Sequence, residues 1–134
     1  MTRLLLGGAL GLLLTLASSA APAPGGDGLD GTRWTVREKT FKAKIFFWRY
    51  DELSFQEGAV ASAQARREGF GPAPFTASRP GESSAWTATM LSPEHGKLVW
   101  EGRKDGSRME GTRTWMRPDG RTKTTAWSAK QRLP

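Results

Sequence analysis

What most constrains this chain is where its turns fall. Glycine-containing turn signals stand at Glu57-Gly58, Pro80-Gly81, His95-Gly96, Asp105-Gly106 and Asp119-Gly120, and the runs between them are rich in Thr, Trp, Phe and Val. No apolar stripe of helical period is long enough to build a helical core. Short β-branched and aromatic runs cut in this way read as strands joined by hairpins. The expected fold class is all-β: a small antiparallel up-and-down barrel of about eight strands, closed so that no sheet edge is left bare. The candidate strands are residues 32–38, 43–49, 52–57, 59–65, 74–78, 85–91, 97–103, 107–116 and 122–130. Segment 60–68, "VASAQARRE", also has the propensity for a short helix.

The first residues read as an address. Arg3 precedes the uncharged run "LLLGGALGLLLTLA", and small residues around Ala20 and Ala21 offer a cleavage site. The run is too short for a spanning helix, which needs about 20 apolar residues. Residues 1–20 are therefore expected to be a signal peptide and 21–30 a flexible leader, with the barrel over 31–134. After cleavage no transmembrane anchor is expected, and the location is periplasmic or secreted. The sequence has no cysteine, so packing alone must hold an exported fold. One domain's length allows one core, and a monomer is expected.

The formal net charge is +7. The basic residues are scattered as "KTFKAK", "ARR", "GRK" and "GRTK", with acids among them, rather than clustered to track phosphates. No nucleic-acid partner is expected; an anionic envelope component is compatible with the charge. His95 is the sole histidine and sits in turn composition, "SPEHG". Nucleophilic catalysis needs a positioned base and an orienting acid, and zinc or copper sites need several His or Cys ligands. No catalytic residue, metal or cofactor is expected.

Two hairpins fix a core face. With Asp105-Gly106 as a two-residue turn, Trp100 meets Gly111 and Gly102 meets Met109. The three-residue loop in "RPDGR" pairs Gly111 with Trp127, Arg113 with Thr125 and Trp115 with Lys123. Leu98, Trp100, Gly102, Met109, Gly111, Arg113 and Trp115 then share the apolar face, and Gly111 serves as a bare backbone position between Trp100 and Trp127. The opposite face places Glu101 and Arg103 diagonal to Arg108 and Glu110. A Pro80-Gly81 turn sets Phe75 against Trp86, and Glu57-Gly58 sets Phe55 against Val60.

"LDGTRWTV" (residues 29–36) is similar to the Gly-x-x-Trp entry strand of lipocalin-like and avidin-like barrels. "GFGPAPFTA", "LSPEHGKLVWEG" and "MEGTRTW" resemble a group of small exported bacterial proteins of unknown function. The resemblance implies a small lipocalin-like (calycin-type) barrel and brings no activity with it.

The interior residues Trp86, Trp100, Met109, Arg113, Trp115 and Trp127 are the candidate ligand-binding set. An eight-stranded barrel is just wide enough to be filled or to hold one small ligand. Arg113 on that face needs a partner: the barrel mouth, a ligand carboxylate, or an acid such as Glu38. Two functions follow. One is an exported barrel binding a small apolar or aromatic ligand inside. The other is a solid-core barrel that binds a protein or envelope polymer through its basic surface and loops.

Overall fold

The computed structural model describes residues 28–78 and 84–133. Eight antiparallel strands close in sequence order into an up-and-down barrel: β1 (Arg33–Lys42), β2 (Ile45–Gln56), β3 (Ala59–Ser62), β4 (Ala73–Ala77), β5 (Ser84–Ser92), β6 (Gly96–Asp105), β7 (Arg108–Met116) and β8 (Thr122–Arg132). One short helix, α1 (Ala63–Arg67), interrupts the series between β3 and β4. Alternation along the strands sends one set of side chains inward, seen in the buried–exposed repeat over the whole of β5. The residues expected to form a signal peptide, most of the expected leader and the expected Pro80-Gly81 turn lie outside the described residues.

The two candidate strands at 43–49 and 52–57 are one continuous strand, β2, because nothing at Tyr50-Asp51 turns the chain. Segment 60–68 divides: β3 ends at Ser62 and α1 begins. Ser62 caps the helix, its Oγ accepting the Ala65 amide at 3.0 Å. Asp51 reinforces the cap by accepting the Gln64 amide at 2.9 Å and the Ser62 hydroxyl at 2.5 Å. Ala65 and, just beyond, Phe70 are buried. The barrel's packing also reaches back into the expected leader. Leu29 is fully buried, and its turn is held by Asp30, whose carboxylate accepts the Gly58 amide at 2.9 Å.

Registers follow the turns. Phe55 faces Val60 across Glu57-Gly58, where both turn residues have positive φ, 53° and 79°. Gly111 faces Trp127, Arg113 faces Thr125 and Trp115 faces Lys123, the pairing expected from "RPDGR". The β6–β7 hairpin is shifted by two residues from expectation. Asp105 pairs with Arg108, so the turn is Gly106-Ser107, with Gly106 at φ +65° in the first central position. Trp100 therefore faces Arg113, and Gly102 faces Gly111. The β4–β5 pairing is shifted likewise: Phe75 faces Ala88, and Ala77 faces Trp86. An even shift keeps every side chain on its expected face, so the core set survives while its partners change. On the outer face the charges now oppose directly, Arg103 against Glu110 and Asp105 against Arg108.

The glycines answer to this register. Gly102 sits under Trp86, and a methyl there would lie 2.6 Å from the indole Cε2. Gly111 lies against backbone instead: a methyl would strike the Glu101 carbonyl oxygen and come within 2.8 Å of Gly102 Cα. The expected crowding of Gly111 between Trp100 and Trp127 is thus replaced by two bare positions face to face.

Candidate functional site

The candidate interior set divides in two. Trp86, Trp100, Met109 and Trp127 are buried in the barrel. Their rings form a chain: Phe75 meets Phe55 edge-on at 5.1 Å, Phe55 meets Trp86 at 5.0 Å, Trp86 meets Trp127 at 6.2 Å, and Trp127 meets Trp100 edge-on at 5.7 Å. These are contact separations for aromatic pairs. The Trp86 indole N–H donates to the Met109 sulfur at 3.2 Å. The indole N–H groups of Trp100 and Trp127 are buried without a hydrogen-bond partner among the described residues.

Arg113 and Trp115 stand at the barrel mouth. The Arg113 guanidinium lies 5.6 Å from the Trp100 ring centre and pairs with Glu38, its Nη2 being 3.1 Å from Oε1 and 3.2 Å from Oε2. Two of the settings expected for Arg113 are met together, the barrel mouth and the pair with Glu38. Trp115 donates its indole N–H to the His95 carbonyl at 2.7 Å, fastening the β5–β6 turn to β7. Beside them opens a cavity of about 410 Å³, bounded by Glu38, Arg49, Phe70, Arg113, Trp115 and Lys123. It is the mouth between α1 and β8, with the aromatic chain beneath it.

A different feature has no counterpart in the candidate set. β1 pairs with β8 only from Arg33 to Arg37, and β2 pairs with β3 only from Leu53 to Gln56. The β1–β2 pairing itself runs on from Glu38↔Arg49 to Lys42↔Ile45. Over that stretch the hairpin is hydrogen-bonded to neither neighbouring strand, although β8 itself runs on to Thr122 and faces β1 across the mouth cavity. The hairpin's tip is a two-residue turn, Ala43-Lys44, with φ of 54° and 66°. Neither residue is the Gly or Asn that such a turn favours. Every residue from Ile45 to Tyr50 is exposed, among them Ile45 at 63%, Phe46 at 61% and Tyr50 at 57%. Register divides them between two faces. Phe46, Trp48 and Tyr50 share one with Arg37 and Lys39; Ile45 and Phe47 share the other with Arg49. The cations lie over the rings, Arg37 at 4.4 Å from the Trp48 centre and Lys39 at 4.6 Å from Phe46.

The outer face continues down the barrel wall. A groove of about 620 Å³ is lined there by Arg37, Tyr50, Arg103, Arg108 and Lys130, with Asp105 and Glu110 among them. Among the described residues no group of three or more His, Asp or Glu is placed to hold a metal ion, and no helix is long and apolar enough to cross a membrane.

The sequence carried a signal for the hairpin. In "KIFFWRY" the apolar–polar alternation lapses, and consecutive large side chains are flanked by bases. On a strand such a run has no polar face to turn outward. Compared with known proteins, the chain matches no family model, no curated protein and no solved structure.

Proposed function

We propose that this is an exported, lipocalin-like barrel that works through its exterior, as a monomeric, non-enzymatic binding module for an anionic component of the cell envelope. One observation carries the reading. Five large exposed side chains, Ile45, Phe46, Phe47, Trp48 and Tyr50, stand together on the hairpin among Arg37, Lys39, Lys44 and Arg49. Exposed apolar patches rimmed by charge mark interaction sites. The cationic groove on the adjoining wall extends the same surface, and the overall charge of +7 agrees in sign with an anionic partner.

The test is retention on soluble polyphosphate and on extracted envelope polymer at rising salt. Binding that weakens steeply as the Debye length shrinks supports the reading. Absence of binding at low salt, or binding indifferent to salt, removes it.

A small ligand is the second reading, favoured by the mouth cavity beside Arg113 and Trp115. It would be an amphipathic acid with its apolar end toward Trp115. Saturable quenching of tryptophan emission by fatty or aromatic acids, abolished in Arg113→Met, supports this reading; unsaturable quenching removes it.

A further inference from the structure

We infer that the β1–β2 hairpin docks into the interface of an anionic phospholipid bilayer. The inference rests on the envelope-binding reading and names its partner.

The argument for lipid over a protein groove is that both faces of the hairpin are apolar. Phe46, Trp48 and Tyr50 crowd one face, and Ile45 and Phe47 the other, all of them exposed. A groove on a protein covers one face of a ribbon; a bilayer interface surrounds it. The side chains suit that depth. Trp and Tyr place an apolar ring in the acyl boundary and a polar atom among headgroups. Arg37, Lys39, Lys44 and Arg49 are long cations that keep their charge at the surface while their stems lie along apolar neighbours. The nearby acids do not oppose an anionic surface freely, since Glu38 is paired with Arg113 and Asp51 is engaged by Ser62 and Gln64.

Geometry sets how deep the hairpin goes. Five residue pairs lie past the last β1–β8 pair, a free ribbon of roughly 16 Å at about 3.3 Å per residue. Interfacial elements bury their apolar face by about 5–10 Å, and the free ribbon is long enough to reach that depth. Neither edge of the free ribbon is laddered to another strand, and hydrocarbon does not tolerate an open strand edge. The hairpin therefore lies in the interface and does not span.

The test is co-sedimentation of the full chain with vesicles of phosphatidylcholine alone and of phosphatidylcholine with phosphatidylglycerol. Wild type is expected to bind the anionic vesicles and to lose binding at high salt. Phe46→Ser with Trp48→Ser on one face, and Phe47→Ser on the other, should each weaken binding, the double variant by about tenfold or more. Lys39→Glu with Lys44→Glu should abolish it, and serves as a second variant set should the serine chains misfold. Loss confined to one face overturns the bilayer in favour of a one-sided protein partner. Binding to soluble polyphosphate without binding to vesicles overturns the bilayer and leaves the anionic-partner reading standing; binding to neither removes both. A dimer that Phe46→Ser with Trp48→Ser dissociates, with no vesicle binding, assigns the hairpin to a second copy of the chain and also overturns the inference.

Discussion

Arg113 on β7 and Glu38 on β1 meet at 3.1 Å across the mouth of the barrel, although they are 75 residues apart and strand β8 runs between them. The pair ties the β1–β2 hairpin's base to the wall that carries Trp100 and Trp115. Neither side chain is open to solvent, at 21% and 10% exposure. Removing one partner strands a mostly buried charge. Glu38→Leu or Arg113→Met alone should cost roughly 1.5–3 kcal/mol in denaturant unfolding. The two together should cost less than either, since a well-packed apolar pair is often neutral. Additive losses would show that the two do not act as a pair.

Gly102 and Gly111 face each other but are crowded by different things. Gly102→Ala forces a side chain, Trp86, to move, and should cost about 1–3 kcal/mol. Trp86→Leu in that background should recover part of the loss. Gly111→Ala pushes on the Glu101 backbone and should cost more, with no recovery from any change at Trp86. The check is a double-mutant cycle measured by urea unfolding; equal coupling at both glycines would contradict the register.

Trp127 joins Trp86 to Trp100 in the aromatic chain while its indole N–H lacks a partner among the described residues. Trp127→Ala should cost about 3–5 kcal/mol through lost packing. Trp127→Phe should cost far less than the alanine change, because it removes an unsatisfied donor along with part of the ring. Thermal unfolding of both variants checks this.

In the β7–β8 turn the Arg121 backbone amide donates to Asp119 at 3.0 Å and its guanidinium at 2.9 Å. These bonds hold the Asp119 carboxyl below its ordinary value of 3.8, the backbone bond being the larger cause. The stability it contributes is present above the unfolded pKa and lost as pH falls through the lower folded value. The side chain is open to solvent, so the effect is small. Carboxyl resonances followed by NMR should place the Asp119 midpoint below those of carboxylates without such bonds.

Local chemistry made much of the fold readable. Pro118 and Gly120 set the β7–β8 register, and Glu57-Gly58 set Phe55 against Val60. The Asp105-Gly106 dipeptide marked its hairpin but not which two residues form the turn; that depended on Gly106 taking the first positive-φ position. Face assignments tolerated the error because a shift of two leaves alternation intact. Of the candidate ligand set, sequence located the tryptophan face but did not separate the four buried members from Arg113 and Trp115 at the mouth. The free end of the β1–β2 hairpin was harder to read. Where the pairing of β1 with β8 stops is a property of barrel closure between the first and last strands, and no local pattern encodes it.

The six tryptophans give a direct readout of where a partner binds, through their indole N–H signals in one heteronuclear NMR spectrum of the full chain. Titration with anionic lipid micelles at low salt should shift the exposed Trp48 and leave the buried Trp34, Trp86, Trp100 and Trp127 in place. Movement of Trp100 and Trp127 with Trp48 unchanged would put the partner inside the barrel and contradict the exterior account.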